Sequence, residues 1–329
     1  MLSRRLVLQG ALAAAGLTAL HGCSNRRGPQ LLSTAGAMPK AWLSALPSPW
    51  SLDDQLQSEQ IIARLTERST RAGLVALSDG WASNLKPQLW QPIKADPLLA
   101  RLVASAAAVS RLYGSPDAAP LAYPWAFSPW VVALRNHSEL AQAASQSWEV
   151  LLEPRLKGQV VLPSSPRISI ELMGADPKRV RQLRGQALAY DEAQALNLLL
   201  GGDAQAAVLP LQRLVPLLRR DPRLQVVLPS SGAPLSWQLL LRPASAQEPL
   251  PLSWMEQILV PPLLSRALQG GWVPPLPRAE LEAAAAGLPG ALRALVLPPD
   301  AVLQRCWSLP PLPTRQRLLW QTLWDAAAP

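Results

Sequence analysis

Short apolar segments alternate with segments of helical spacing from about residue 30 to residue 242, and this alternation limits the fold most strongly. The segment GLVALS ends at Ser78 and is followed by the polar turn Asp79-Gly80 and a segment with helical character. The same order recurs at VVLP, which is followed by SSPR and a helix near 167–186, and at AAVLP, which is followed by LQRLVPLLRR. Strands that alternate with helices in this way predict an α/β fold.

Other segments extend this pattern towards both ends of the chain. QLLSTAGAMPKAWLSAL predicts a strand, a turn and a helix that opens at Pro39, because proline is favoured in a first helical turn. SLDDQLQSEQIIARLTERSTRA predicts one amphipathic helix with Leu52 and Ile61 on its apolar side. Residues 97–113 are expected to form another helix, and the chain after about residue 247 is expected to be mostly helical. Because 329 residues exceed the roughly 250 to 300 that one core usually holds, we expect two lobes.

The first residues predict an export signal. Arg4 and Arg5 precede an uncharged run of 15 residues, which is short for a membrane span and fits the core of a signal peptide. SRRLVLQ resembles the twin-arginine export motif, although Val7 and Gln9 replace its usual phenylalanine and lysine. Ordinary Sec export therefore remains an alternative to the twin-arginine route.

The end of this segment predicts a lipid anchor. LHGC resembles a lipobox, in which Cys23 would carry a diacylglycerol, although His21 departs from the usual box. We therefore predict a lipoprotein signal peptide over 1–23, a polar tether over 24–30 and a periplasmic, membrane-anchored protein. The alternative is a buried N-terminal helix with an incidental cysteine.

Charge and reactive side chains exclude several function classes. The chain has 31 Lys and Arg against 22 Asp and Glu, but the arginines are spread between acidic neighbours, so nucleic acid is not expected as a partner. With Cys23 acylated, Cys306 has no disulfide partner and is expected to pack as a small apolar residue. His137 is the single histidine after the signal, which leaves no zinc-ligand spacing, and no glycine-rich phosphate loop occurs. We therefore expect no metal and no cofactor.

A longer pattern resembles a known family. Seven residues reproduce S-W-x-x-L-x-x-P-x-x-x-G-x-x-x-L-P, a pattern that resembles the periplasmic spermidine/putrescine-binding proteins of ABC transporters: Ser147, Trp148, Leu151, Pro154, Gly158, Leu162 and Pro163. Four further segments occur in the family's order, namely YPWAFSPWVVALRN, GGDAQAAVLP, SSGAPLSWQLLLRP and GGWVPPLPRAELE. The resemblance extends over residues 123–283.

This resemblance implies a two-lobed type II periplasmic binding protein fold with hinge crossovers, which closes on a ligand by hinge motion. Lobe 1 would comprise residues 31–133 plus 236–329, and lobe 2 residues 134–235. The hinges would lie near residues 131–134 and 236–239. The strand and helix pattern alone does not fix these boundaries.

The resemblance also implies a function. The chain would be the solute-binding protein of an ABC transporter, delivering a small molecule to a permease in the inner membrane, with a polyamine as the family's usual ligand. However, Ser165, Ile168 and Leu239 stand where relatives place carboxylates for the amines. The ligand is therefore a polyamine or another small solute. A degenerate binding-fold lipoprotein with a structural or regulatory role is one alternative, and an enzyme centred on His137 is a weaker one, so we expect no enzyme.

Eight residues are predicted to bind the ligand: Ser78, Asp79, Trp81, Trp125, Ser165, Arg167, Trp237 and Trp272. Ser78 matches a serine at the first lobe's ligand turn, Trp237 matches the family tryptophan and Trp272 matches a tyrosine. Each has a structural alternative. Asp79 could serve only the turn, the tryptophans could pack between or within the lobes, and Arg167 could be a solvated arginine.

Overall fold

The computed structural model describes residues 28–67, 70–218 and 220–328. The predicted signal peptide, Cys23 and most of the tether lie outside these residues. The described strands form one ten-stranded sheet. They are β1 (Gln30–Thr34), β2 (Ser51–Leu56), β3 (Ala72–Ser78), β4 (Trp90–Gln91), β5 (Ala122–Arg135), β6 (Val160–Leu162), β7 (Ala187–Tyr190), β8 (Ala206–Pro210), β9 (Leu224–Val227) and β10 (Leu235–Pro243).

Helices lie between and after these strands. Those before β7 are α1 (Lys40–Leu43), α2 (Ser58–Leu65), α3 (Asp79–Ala82), α4 (Asp96–Leu99), α5 (Ala106–Ser110), α6 (Ala141–Gln146), α7 (Pro166–Leu172) and α8 (Pro177–Gln186). Those after β7 are α9 (Glu192–Gly201), α10 (Leu211–Leu218), α11 (Leu252–Glu256), α12 (Leu263–Gln269), α13 (Arg278–Ala284), α14 (Gly290–Val296), α15 (Asp300–Leu303) and α16 (Thr314–Ala326). In the described ranges, none of these helices has the length and apolarity that a membrane crossing requires.

The sheet is continuous through two lobes because β5 is shared between them. The strand order is β2-β1-β3-β10-β5-β8-β6-β7, with β4 on β10 and β9 on β5. The first part of β5 pairs with β10 as far as Pro129, and from Trp130 onwards it pairs with β8. Lobe 1 is therefore built on β1 to β4, β10 and the first part of β5, and lobe 2 on the rest of β5 and β6 to β9.

The chain passes between the lobes at three neighbouring places. The change of partner along β5 lies at Pro129 and Trp130, slightly before the predicted hinge at 131–134. The backbone N–H of Trp130 donates to the carbonyl of Pro234, just before β10 begins. The backbone N–H of Leu235 donates to the carbonyl of Trp307 at 2.8 Å, so the segment before α16 forms the third connection.

The C-terminal helix corrects one lobe boundary. Helix α16 packs against α7 and α8 of lobe 2, and Trp324 joins the apolar cluster on that side of the lobe 2 sheet. Assigning all of residues 236–329 to lobe 1 is therefore wrong for this helix. The sequence pattern that resembles the family ends before it, which is why the resemblance did not reveal the return.

Three predicted helices differ in the structure. Residues 51–56 form a strand rather than the start of a helix, because they pair in parallel with β1 along the edge of the sheet. The helix expected over 97–113 is broken into α4 and α5. The helix expected near 167–186 is also two helices, since Gly174 and Ala175 take positive φ angles between α7 and α8.

The residues of the family-like pattern have structural roles near the hinge. The indole N–H of Trp148 donates to the carbonyl of Gly232 at 2.8 Å, which ties lobe 2 to the segment leading into β10. Gly232 has φ +92°, and a Cβ there would lie 2.1 Å from the carbonyl oxygen of Arg305. Only glycine allows this close approach of two connections between the lobes.

Candidate ligand-binding cleft

Four parallel strands end at the cleft between the lobes. In lobe 1 these are β1 and β3, and in lobe 2 they are β6 and β8. Ligands of open α/β sheets bind outside the carboxyl ends of such strands. The turns after the four strands supply most of the cleft's polar side chains. These turns line two adjoining cavities.

The larger cavity has a volume of about 700 Å³ and takes its walls from both lobes. Lobe 1 contributes the turn Thr34–Lys40, which joins β1 to α1, together with Ser78, Gln238 and Trp272. Lobe 2 contributes Gln212 and Arg213 from the first turn of α10. A volume of this size is typical of small-molecule sites.

The charged groups of this larger cavity are both cationic. Lys40 is exposed at the start of α1, and its ammonium group has no ion-pair or hydrogen-bond partner among the described residues. Arg213 is half-buried and donates through Nη2 to the carbonyl of Glu192 at 3.1 Å. The described residues that line this cavity include no carboxylate.

Two polar atoms at the wall of the larger cavity have no partner. The indole Nε1 of Trp272 and the Oε1 of Gln212 are buried and make no hydrogen bond within the described chain. Trp272 is half-buried beside Trp125, with a ring separation of 6.3 Å. Since buried polar groups are nearly always satisfied in proteins, a small movement of either side chain towards the cavity would give its polar atom a partner there.

The smaller cavity, of about 430 Å³, adjoins the larger one and shares Ser78 and Trp81 with it. Trp81 is 39% exposed, so its indole forms an apolar wall common to both cavities. The lobe 2 wall is the turn Ser164–Arg167 together with Trp130 and Glu192. This places the predicted residues Ser165 and Arg167 in the cleft, facing Ser78 and Trp81.

The acidic and basic side chains of the smaller cavity already make hydrogen bonds or ion pairs within the protein. Glu192 follows Asp191, which caps α9, and its Oε2 accepts a hydrogen bond of 2.6 Å from Ser164. The guanidinium of Arg167 lies 3.2 Å from Glu171 and also donates to the carbonyl of Leu309. Arg167 is therefore paired with an opposite charge, whereas Glu192 keeps its negative charge because a serine hydroxyl is neutral.

Asp79 is the most buried of the charged residues in the smaller cavity, and it accepts two hydrogen bonds from the protein. It is 4% exposed, and its carboxylate accepts from the hydroxyl of Tyr113 at 2.8 Å and from the backbone N–H of Trp237 at 3.2 Å. Burial raises the pKa of Asp79 to about 6, although both hydrogen bonds act in the opposite direction. Tyr113 itself has a positive φ, so a strained backbone position places its hydroxyl on Asp79.

Trp125 and Trp237 do not reach the cleft. Both are fully buried, and neither lines the larger or the smaller cavity. Trp125 packs 5.1 Å from Trp42, which stacks in turn on Trp254. Trp237 lies 5.1 Å from Phe127 and donates its indole N–H to Ser308. These two rings belong to the core of lobe 1 because their positions on β5 and β10 face its helices.

His137 lies outside the cleft. Its Nδ1 is 2.8 Å from Oε1 of Glu139, which also faces Arg155, at the far end of β5. The cavities between the lobes do not include it. Within the described ranges, no cluster of three or more His, Cys, Asp or Glu residues has the arrangement of a metal site.

Lys40, Gln212 and Arg213 were not predicted from the sequence. A usable signal was present, since Lys40 follows the turn after β1 and Arg213 lies in the first helical turn after β8. The resemblance concerns positions where relatives carry aromatic or acidic residues. It therefore gives no information about the cations at neighbouring positions of the same strand ends.

Solved structures share this fold. A spermidine/putrescine transporter substrate-binding protein from Streptococcus pneumoniae is 12% identical with a TM-score of 0.70, over 91% of this chain and 98% of that one. A lipoprotein of Treponema pallidum is 14% identical with a TM-score of 0.68, over 91% and 98%. A periplasmic thiamin binding protein is 15% identical with a TM-score of 0.60, over 92% and 96%.

Comparisons of sequence alone add nothing to this: no protein-family model and no curated protein matches the chain. At these identities the structural likeness establishes the fold. The predicted type II periplasmic binding protein fold is confirmed, and spermidine/putrescine-binding proteins are among the structures that share it.

Proposed function

We propose that the chain is the extracytoplasmic solute-binding component of an ABC transporter, and that it holds a small molecule between its two lobes. The observation that carries this proposal is the larger cavity, whose walls come from both lobes at the ends of β1, β3 and β8. A ligand there would contact both lobes at once. Its binding would therefore favour the closed arrangement, the state that a permease can distinguish from the open one.

The cellular setting is part of the proposal. The basic start, the apolar run and LHGC support export and acylation of Cys23, with residues 24–30 as the tether to the membrane. The structurally similar Treponema pallidum protein is a lipoprotein. The permease of the inner membrane would be the second partner, and no nucleic acid is involved.

The ligand follows less directly from the fold, because proteins that share it are named for polyamines and for thiamin. Ser165 is exposed in the smaller cavity, Ile168 is buried in its wall, and Leu239 is fully buried in β10. The positions that relatives use for carboxylates therefore offer no negative charge. Asp79 and Glu192 are the cleft carboxylates, and both are held by protein donors.

The contacts of the predicted site divide into two groups. Ser78, Trp81, Ser165, Arg167 and Trp272 line the cleft, and we propose them as ligand contacts. Asp79 supports the turn that carries Ser78 and Trp81. A structural or regulatory role without a ligand would be favoured by a cleft filled by Trp125 or Trp237, but both rings lie in the core.

A panel of solutes tests solute binding. Purified protein is screened for thermal stabilisation with amines, neutral polar solutes and small anions, and stabilising solutes are followed by small-angle X-ray scattering. We expect at least one solute to raise the Tm and reduce the radius of gyration, because hinge closure makes the molecule more compact. Trp81→Ala should weaken the effect, whereas Leu319→Ala on the exposed face of α16 should not. A panel in which no solute changes either quantity would contradict the proposal.

A further inference from the structure

We infer that the ligand of the larger cavity is an anion, a small molecule that presents carboxylate, phosphate or sulfate oxygens to Lys40 on lobe 1 and Arg213 on lobe 2. The inference rests on the proposed solute-binding function and names the chemical class of the solute. It also departs from the amine ligands that the sequence resemblance implies.

The two cations of the larger cavity have donors to spare. The ammonium group of Lys40 has no partner in the described chain, so its three N–H donors are available. Arg213 uses one N–H on the carbonyl of Glu192 and retains other donors in a fixed fork. A guanidinium of this shape suits a carboxylate or phosphate, which it can bind through two parallel hydrogen bonds.

Closure of the cleft makes the sign of the ligand's charge important. Lys40 and Arg213 stand on walls that belong to different lobes, so hinge closure brings two positive charges into a space with less water. Like charges in such a space repel, and a cationic polyamine would add to this repulsion. An anion between them reverses the sign of both interactions, so it favours the closed state.

Neutral polar groups also line the larger cavity. The Nε1 of Trp272 is a buried donor without a partner in the described chain, and a turn of the ring towards the cavity would let it donate to a ligand oxygen. The Oε1 of Gln212, whose backbone packs beside Gly271, is a buried acceptor without a partner, and the same kind of movement would let it accept from a hydroxyl of the ligand or of a water. The larger cavity thus favours an oxygen-rich anion with a hydroxyl group.

The cleft carboxylates that an amine would need line the smaller cavity and not the larger one. Asp79 is buried under Tyr113 and Trp237, and Glu192 accepts a hydrogen bond from Ser164. An ammonium group that leaves water requires a paired charge or a ring face. In the larger cavity the rings of Trp81 and Trp272 remain for it, but they stand beside two cations.

Four-carbon probes of opposite charge test the inference. Isothermal titration calorimetry compares succinate, butane-1,4-diol and putrescine, which share a chain length and differ in charge. Phosphate, sulfate and citrate extend the anion set, and spermidine extends the amine set. We expect at least one anion to bind, with an affinity that falls as salt is added, and we expect neither amine to bind.

Variants locate the anion. Lys40→Gln and Arg213→Gln should each lower the affinity for the bound anion by about tenfold to a hundredfold, the usual weight of a hydrogen bond to a charged group. Lys94→Gln and Arg266→Gln are matched controls, because these side chains are exposed and lie outside both cavities. The controls should leave the affinity unchanged.

The outcomes separate this inference from the proposed function. If an amine or the neutral diol binds with hinge closure and every anion fails, the anion inference is wrong and solute binding stands. If an anion binds but Lys40→Gln and Arg213→Gln bind it as well as the controls do, the assigned site is wrong. If no probe of any charge binds and none reduces the radius of gyration, both the inference and the proposed function are contradicted.

Discussion

The two cavities of the cleft differ in the sign of their charged residues and in how far these residues are bonded within the protein. The smaller cavity has carboxylates and an arginine, but Asp79, Glu192 and Arg167 each have a protein partner. The larger cavity has two cations, of which Lys40 has no partner in the described chain and Arg213 has one backbone partner. The described lining of the larger cavity therefore presents positive charge alone to a ligand, whereas the smaller cavity combines both signs and uses them largely in contacts within the protein.

The largest expected effect separates a core ring from a cleft ring. Trp237→Ala should lower the free energy of unfolding by about 3 to 5 kcal/mol, because a fully buried indole and its hydrogen bond to Ser308 are lost. Trp81→Ala should lower it by less than about 1 kcal/mol, since that ring is 39% exposed. Urea unfolding followed by circular dichroism measures both. Equal losses would mean that Trp81 is a core residue and not a wall shared by the cavities.

The next effect tests whether Asp79 is structural. Asp79→Ala should cost about 2 to 4 kcal/mol of unfolding free energy, because the Tyr113 hydroxyl and the Trp237 N–H lose their buried acceptor. Glu192→Gln is the control from the same cavity and should cost less than about 1 kcal/mol. If Asp79→Ala were as stable as the control, Asp79 would be available to a ligand and the contrast between the cavities would fail.

The free energy of unfolding should also depend on pH through Asp79. The pKa of Asp79 is raised to about 6, so the folded protein holds a proton that the unfolded chain releases. The resulting stabilisation is complete below the ordinary pKa near 4 and is lost as the pH rises through about 6. Between about pH 7.5 and pH 5, the wild type should gain about 1 kcal/mol relative to Asp79→Asn. A constant difference between the two proteins over this range would show that the Asp79 pKa is ordinary.

The smallest expected effect comes from a substitution in the smaller cavity. Ser164→Ala removes the hydroxyl that occupies Glu192 in the smaller cavity. We expect the affinity for the anion to change less than about twofold, because the ligand lies in the larger cavity beyond Trp81. A tenfold or greater change, measured by titration calorimetry, would place the ligand against the smaller cavity instead.

The sequence predicted more of the fold than of the site, and particular residues explain why. The strand-turn-helix order around Ser78 and Pro210 depends on local periodicity, so it was visible without the structure. The strand over 51–56 was missed, because its pairing with β1 at the sheet edge outweighs its helix-like spacing. The return of α16 to lobe 2 depends on tertiary packing and has no local signal.

The residues of the site also divide into those with a local sequence signal and those whose positions depend on tertiary packing. Five of the predicted residues line the cavities, because they stand at or near strand ends that the resemblance marks, and their contact with a ligand remains a proposal: Ser78, Trp81, Ser165, Arg167 and Trp272. Trp125 and Trp237 were misplaced, since alternation along a strand shows that a ring points to one face but not which face borders the cleft. The pairing of a charged group with a distant partner, such as Asp79 with Tyr113, cannot be seen in the sequence at all.

Charge reversal in the larger cavity tests whether its two cations determine the charge of the ligand. The doubly substituted protein Lys40→Glu with Arg213→Glu is titrated with succinate and with putrescine, beside the wild type and the control Lys94→Glu with Arg266→Glu. The account predicts that the wild type and the control prefer the dianion and that the doubly substituted protein prefers the diamine. Putrescine binding to the wild type at least as tightly as to the doubly substituted protein would contradict it.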